Sequence, residues 1–161
     1  MSAAVERHVL SALVENEPGV LSRVIGLISR RGFNIESLSV APTEDPTRSR
    51  ITTIVCADAR AYEQITKQLN KLINVHKIVD LTDGAAIERE LALFKVSVPS
   101  EQRSEVVEIA NLFRANVVDV GKTSLTIEVT GDADKIGGLE DLLRDYGITE
   151  MIRTGIIAMS R

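Results

Sequence analysis

The sequence predicts an α/β protein made of two consecutive units in which short strands and helices alternate. Apolar residues recur at helical spacing in four segments, and β-rich runs bounded by turn-forming residues lie between those segments. The chain has 161 residues, and 44% of them are hydrophobic. That length and composition suffice for one ordinary core or for two small ones.

The first unit begins with an apolar run over residues 9–14, which predicts a strand that ends at the turn cluster 16–19. The apolar residues that follow predict a helix over residues 18–31, since Pro18 suits a first helical turn and Gly32 suits a left-handed cap. The other predicted elements of this unit are strands over residues 34–41 and 50–57, a helix containing residues 62–72, and a strand over residues 75–81.

The order strand, helix, strand, strand, helix, strand is that of the ferredoxin-like βαββαβ unit. A break at residues 82–84 precedes a second series with the same order. We therefore expect two tandem ferredoxin-like α+β sandwiches, over residues 1–82 and 83–161. The elements predicted for the second are strands over residues 87–98, 116–120, 125–130 and 148–159, and helices over residues 101–115 and 132–145.

The composition argues against several classes of protein. The net charge of -4 and a pI of about 5.3 provide no basic footprint for nucleic acid. The single cysteine, Cys56, cannot form an internal disulfide or a cysteine-rich metal site, and it fits a reducing compartment. No apolar run approaches the roughly 20 residues that span a bilayer, and the first seven residues do not resemble a secretory signal. We expect a cytoplasmic protein with neither a nucleic-acid nor a membrane partner.

No pattern in the sequence favours catalysis or metal binding. His8 and His76 are far apart, and neither has neighbours at metal-ligand spacing. Residues Gly121–Ser124 resemble the end of a phosphate-binding loop, but the earlier glycine is missing and a strand follows, so a hairpin is expected. Neither a serine nucleophile elbow nor a His-Glu-x-x-His pattern is present. We assign no catalytic, cofactor or metal residue to the chain.

The turn between the first strand and the first helix carries the most suggestive chemistry. A helix start presents unpaired N–H groups and a partial positive charge, and so favours an anion. Gly19 lets a ligand approach the backbone, and Asn16 offers both a donor and an acceptor beside it. These features suit a free amino acid whose carboxylate meets the helix start. On the residues alone, a capped helix after a tight turn explains the segment somewhat better.

The chain reads VENEPGVLSRV at residues 14–24, RGFNIESL at residues 31–38 and VAPT at residues 40–43. These segments resemble the ACT domain of the regulatory subunits of acetolactate synthase (acetohydroxyacid synthase), and the resemblance is continuous over residues 7–52. Shorter similar segments extend it over most of the chain: KQLNKL at residues 67–72, EREL at residues 88–91 and FRA at residues 113–115.

The resemblance implies a binding site that is shared between two copies of the chain. In that family two ACT domains pair side by side, and an effector, usually valine, sits between them. The residues implied for the polar end of the amino acid, from one subunit, are Asn16, Gly19, Val20 and Leu21. Asn34 and Ile35 of the other subunit would complete the pocket.

The same resemblance implies a regulatory role in valine, leucine and isoleucine biosynthesis. Such a subunit forms a homodimer or a higher oligomer, binds a branched-chain amino acid, and both activates and feedback-inhibits a catalytic large subunit. Thiamine diphosphate, magnesium and FAD are then expected in that partner, and none in this chain. An amino-acid-responsive transcription regulator or another ACT sensor module is the main alternative, although no helix-turn-helix or basic stripe is present. A small ferredoxin-like enzyme and a purely structural dimer are the other two alternatives.

Overall fold

The computed structural model describes residues 4–29, 33–84 and 86–161. Within these residues, no helix is both long and apolar enough to cross a membrane. The predicted cap at Gly32 and the last two residues of the helix predicted over residues 18–31 lie outside the described residues.

The chain divides into two compact units. The first comprises the residues up to 87 together with residues 156–161, and the second comprises residues 88–155. The sequence suggested a division near residues 82–86 and gave no indication that the last six residues return to the first unit. The chain therefore passes between the units twice, once at residue 87 and once at residue 155.

The first unit is a four-stranded antiparallel sheet with two helices packed on one face. Its strand order is β2-β3-β1-β4, as expected for a ferredoxin-like unit. Its elements are β1 (Glu6–Glu15), α1 (Val20–Ser29), β2 (Asn34–Pro42), β3 (Arg48–Ala57), α2 (Ala59–Asn70) and β4 (Val75–Asp80).

The positions of the core residues of this unit follow from the side-chain period of strands, two residues, and that of helices, about 3.6 residues. Alternate residues of β1, among them Leu10 and Ala12, face the helices and are buried. The helices meet them with residues at three- and four-residue spacing, such as Val24 and Ile28 of α1. The side chain of Asp58 accepts a hydrogen bond from the backbone N–H of Ala61 at 2.7 Å and so caps the start of α2.

The second unit repeats this architecture with a sheet in the order β6-β7-β5-β8. Its elements are β5 (Ala86–Ser97), α3 (Arg103–Leu112), β6 (Asn116–Val120), β7 (Ser124–Gly131), α4 (Ala133–Leu143) and β8 (Ile148–Arg153). Phe94 lies at the centre of its core and is fully buried, and Leu139 of α4 packs in the same cluster. The predicted tandem arrangement of two ferredoxin-like units is confirmed.

Several predicted helix boundaries are wrong by a few residues. Helix α1 begins at Val20 and not at residue 18, because Gly19 has a φ of +86°, which a right-handed helix cannot contain. Helix α3 is preceded by a short 3-10 turn and ends at Leu112, before Arg114 with its φ of 54°. Helix α4 ends at Leu143, and another 3-10 turn begins at the next residue, Arg144.

The prediction of one final strand over residues 148–159 is wrong. The segment is divided by Gly155, whose φ of +89° interrupts the extended backbone. The strand β8 lies before this glycine and belongs to the second unit. The strand β9 (Ile157–Ser160) lies after it, clusters with the first unit and pairs with β5 as the fifth strand of the second sheet.

A second, smaller apolar cluster covers the face of the first sheet that is turned away from the helices. Val9 of β1 and Ile54 of β3 contribute from the sheet, and both are buried. Leu81 and the C-terminal residues Ile156 and Ala158 complete the cluster. Both faces of this sheet are therefore at least partly covered by residues of the first unit itself.

Candidate amino-acid-binding site

The turn that links β1 to α1 is attached to the neighbouring hairpin through Asn16. The backbone N–H of Asn16 donates to the carbonyl oxygen of Thr47 at 2.8 Å. Its side-chain Nδ2 donates to the carbonyl oxygen of Pro46 at 3.1 Å. This contact fixes the orientation of the side chain, whose Oδ1 is the atom that can accept a hydrogen bond from a ligand.

The hairpin loop that holds Asn16 is itself organised by Asp45. Its Oδ1 accepts hydrogen bonds from the backbone N–H of Thr47 at 2.9 Å and from the Thr47 hydroxyl at 2.7 Å. These hydrogen bonds, assisted by the Arg48 guanidinium 3.7 Å away, hold the pKa of the Asp45 carboxyl below its usual value. The loop is therefore a defined support for the turn.

Gly19 gives the turn its shape and leaves it open to solvent. Its φ of +86° lies in the left-handed region, which glycine adopts without steric cost. A Cβ atom built on Gly19 would meet no other atom within 4 Å. The helix that starts at the next residue leaves its first N–H groups without intrahelical acceptors, so an anion could approach them here.

The two apolar residues of the predicted site have different environments. Val20 is only 4% exposed and packs in the core, so its side chain cannot line a ligand pocket at the surface. Leu21 is 40% exposed, and its side chain can contact a ligand. The backbone N–H of Val20 donates to the carbonyl oxygen of Glu17 at 3.4 Å. Of these two residues, we therefore expect Leu21 to make the contact with a ligand, through its apolar surface.

A second polar network, formed with residues of α1 and residues at or just before the start of β4, supports the turn between β1 and α1. The guanidinium of Arg23 in α1 donates to Asn74 Oδ1 at 2.8 Å, and Asn74 Nδ2 donates to Glu15 Oε2 at 2.8 Å. His76 Nε2 lies 3.9 Å from Glu15 Oε1. No local sequence pattern indicates this network, because Asn74 lies 51 residues from Arg23 and 59 residues from Glu15 along the chain.

The other histidine is a core residue. His8 is buried and stacks on Tyr62 with ring centroids 3.9 Å apart. Its Nε2 lies 3.0 Å from the carbonyl oxygen of Ala57. Burial raises the pKa of the Tyr62 hydroxyl above its usual value. Among the described residues, no group of three histidine, cysteine or acidic side chains could hold a metal ion.

Asn34 and Ile35 lie at the opposite end of the sheet from the turn. Asn34 is paired with Cys56, which is paired with Arg7 near the start of β1. The turn follows Glu15 at the end of β1, eight residues further on, or about 27 Å at about 3.4 Å per residue. One copy of the chain thus brings Asn16, Gly19 and Leu21 together but leaves Asn34 distant.

Two family models match the chain. Residues 10–77 match the model of the ACT domain of small subunits of acetohydroxyacid synthase (AHAS small subunit-like ACT domain). Residues 89–161 match the model described as the small subunit of acetolactate synthase. Together the two matches cover most of both units.

The chain is also similar to individual proteins over most of its length. The chain is 51% identical over 161 residues to the acetolactate synthase small subunit of Mycolicibacterium smegmatis, covering 100% of this chain and 95% of the relative. It is 54% identical over 154 residues to that of Mycobacterium bovis, covering 96% and 92%. It superposes on the crystal structure of the acetolactate synthase small subunit from Thermotoga maritima with a TM-score of 0.88 at 39% identity, covering 97% of this chain and 98% of that one.

Proposed function

The chain belongs to the family of small, regulatory subunits of acetolactate synthase, and from this premise we propose that it binds a branched-chain amino acid, with valine favoured, between two copies of its ACT domain. Binding would feedback-inhibit a catalytic large subunit, which the chain would activate when no amino acid is bound. The observation that carries the proposal is the open turn at Gly19, with Asn16 fixed beside it.

The topology supports a site shared between two copies. The strand β2 lies at the edge of the sheet, where its outer backbone groups can pair with a second chain. It runs in the same direction as β1, since both are antiparallel to β3. If two copies pair through antiparallel β2 strands, Asn34 of one comes beside Pro42 of the other. That is the end of the sheet at which β1 leads into the turn, so the separation of about 27 Å along the strands disappears. Three strand spacings, about 14 Å, then remain between β1 and β2 of the other copy, a distance that the turn, the ligand and the side chains would span.

The chemistry of this composite site suits a zwitterion. The amino acid's carboxylate would meet the N–H groups at the start of α1 beyond Gly19. Its ammonium group would donate to Asn16 Oδ1, the acceptor of that side chain, whose orientation is fixed by the hydrogen bond from Nδ2 to the carbonyl oxygen of Pro46. Leu21, together with Ile35 from the other copy, would contact the aliphatic side chain, and Asn34 would add a polar contact.

The expected affinity follows from these contacts. Burying a valine side chain contributes roughly 1.5–3 kcal/mol, and a carboxylate at a helix start contributes up to about 2 kcal/mol. After ordering costs, a net affinity of about 4–8 kcal/mol is reasonable, which corresponds to dissociation constants between millimolar and micromolar. Valine differs from leucine or isoleucine by one methylene, worth roughly 1–3 kcal/mol, so all three should bind measurably.

Inhibition requires that the catalytic subunit contact two states of the small subunit differently, because a ligand shifts an equilibrium only by its differential affinity. The coupling free energy would be about 1–3 kcal/mol.

We assign the thiamine diphosphate, magnesium and FAD of the complex to the catalytic subunit. The chain alone should therefore form no acetolactate from pyruvate, and activity that copurifies with it after removal of the catalytic subunit would contradict the regulatory role. Action in the cytoplasm stays a prediction.

The test is a calorimetric titration of the purified protein with valine, leucine and isoleucine, with the molecular mass measured before and after. We expect saturable binding to a single class of sites at the dimer interface. The molecular mass should be that of a dimer or a larger oligomer both before and after the titration. Alanine and aspartate serve as control ligands, since neither fills a branched aliphatic pocket. A monomer that binds none of the three branched-chain acids would refute the proposal. A transcription regulator would instead shift operator DNA in a gel.

A further inference from the structure

The C-terminal residues of the chain hold one particular strand of the first unit. The backbone N–H of Ile156 donates to Ser37 Oγ in β2 at 2.8 Å, across 119 residues of sequence. Ile156 and Ala158 are 7% and 8% exposed, and both pack with Ile54 on the face of the sheet away from the helices. We call residues 156–160 the strap.

The contact with Ser37 lies close to the residues that are proposed to complete the ligand pocket. The pairing of β2 with β3 shifts register between Ile35 and Ser37, so Glu36 forms a bulge. Asn34 and Ile35 lie on one side of the bulge, and Ser37 follows it at once. Three residues, or about 10 Å, separate Asn34 from Ser37 along the strand. A displacement of the start of β2 would therefore change the geometry of the strap contact.

Along the chain, a single residue separates the strap from the last residues of the second unit. The hydroxyl of Thr154 accepts a hydrogen bond from the backbone N–H of Leu91 at 3.1 Å, and the N–H of Thr154 donates to the Leu91 carbonyl at 3.0 Å. Next to it, Arg153 forms an ion pair with the buried carboxylate of Glu90. Only Gly155 stands between the anchored Thr154 and the anchored Ile156.

We propose that the strap links the amino-acid site in the first unit to the second unit, and that Ser37 is the positioning residue through which it acts. This inference rests on the proposed function and adds a route for its regulation. When an amino acid fixes Asn34 and Ile35 of β2, the preferred position of Ser37 changes, and with it the position of Ile156. Because only Gly155 separates Ile156 from Thr154, a shift of Ile156 acts on the hydrogen bonds between Thr154 and Leu91 inside the second unit, and a catalytic partner can detect that local change.

The experiment compares two measurements on the full-length protein: the affinity for valine by calorimetry, and the inhibition by valine of the complex reconstituted with its catalytic subunit. Ile156→Ala removes the buried side chain of the strap. Its matched control is Ile157→Ala, the same change at the next position, where the side chain is 58% exposed. Ser37→Ala removes the acceptor of the strap's hydrogen bond, whereas Ser37→Thr keeps an oxygen acceptor.

We expect Ile156→Ala and Ser37→Ala to keep an affinity within about threefold of the original but to lose inhibition, so that the coupling factor of about 5–150 falls towards one. Ile157→Ala and Ser37→Thr should be inhibited as the original protein is. Circular dichroism checks the folding of each variant, and Ser37→Ala carries the test if Ile156→Ala does not fold.

Other outcomes overturn the inference. Full inhibition in both Ile156→Ala and Ser37→Ala would mean that the strap carries no signal. If both variants lost valine binding, the strap would be needed to form the pocket itself and would not be the proposed connection between the pocket and the second unit. If Ile156→Ala and Ile157→Ala reduced the inhibition by valine equally, the effect would not depend on the buried side chain of Ile156, and the inference would be contradicted. If the original protein neither binds nor responds to branched-chain amino acids, the proposed function fails first, and the strap inference fails with it.

Discussion

Replacing Gly19 with aspartate should weaken valine binding through charge alone. Gly19 lies in the left-handed region at the start of α1, where the ligand's carboxylate is proposed to bind. Aspartate would put a second carboxylate at that position. Asparagine is the matched control, because it has nearly the same size and shape without the charge, and both residues adopt the left-handed conformation more readily than other side chains do.

The size of the effect can be worked from the geometry. An added Cβ meets no atom within 4 Å, so neither variant should create a steric clash. Left-handed strain of about 1–2 kcal/mol is common to both and cancels in their comparison. Two carboxylates about 4 Å apart repel by about 1 kcal/mol in water and about 4 kcal/mol at an effective dielectric constant near 20. For this exposed turn an intermediate value of about 2 kcal/mol is appropriate, which is a factor of about 30 in the dissociation constant.

Calorimetric titration of both variants with valine measures this difference. A negative charge at a helix start stabilises the helix by about 0.3–1 kcal/mol, so the aspartate variant should be no less stable than the asparagine variant in urea. Weaker binding could then not be attributed to unfolding. Equal dissociation constants for the two variants would refute the idea that a carboxylate binds beside Gly19.

Three further results are expected. Asn34→Ala should weaken valine binding by about 1–3 kcal/mol, through loss of one hydrogen bond to a charged group, although Asn34 lies about 27 Å from the turn within one chain; an unchanged calorimetric affinity would remove Asn34 from the pocket. Because the folded-state pKa of Asp45 is lowered, its contribution to stability is complete above the ordinary pKa of 3.8 and is lost as the pH falls through the lower folded value. The NMR shift of the Thr47 amide should therefore titrate with a midpoint below 3.8, and a midpoint at or above 3.8 would contradict the hydrogen bonds described for that loop. Phe94→Ala should lower the free energy of unfolding by about 3–5 kcal/mol in urea, since Phe94 is fully buried, and a loss under about 1 kcal/mol would mean that the core collapses around the missing ring.

Features with local causes could be predicted from the sequence. The spacing of Tyr62, Ile65 and Leu69 specified α2, and all three are buried in the structure. The turn formers between Pro42 and Pro46 specified the hairpin that supports Asn16. A hydrophobic period or a turn residue acts within a few positions of itself, which is why such patterns can be interpreted without a structure.

Features with distant causes could not be predicted. The predicted fold places β4 beside β1, but the hydrogen bonds among Glu15, Arg23 and Asn74 depend on the exact register of these strands, which no local pattern specifies. The end of the chain is a different case. Glycine inside a strand pattern often marks an interruption, so Gly155 was a usable signal, but the β-branched residues around it suggested one continuous strand. That Ile156 then reaches Ser37 depends on tertiary structure alone.

The return of the last six residues affects how this protein can be dissected or fused to others. A fragment cut after residue 87 would expose Val9 and Ile54 to water and would lack the partner of Ser37. Such a fragment should be more prone to self-association than the same residues are in the intact chain. A sensor module for transplantation into another enzyme would accordingly have to include the terminal hexapeptide, for example through a flexible linker or by circular permutation.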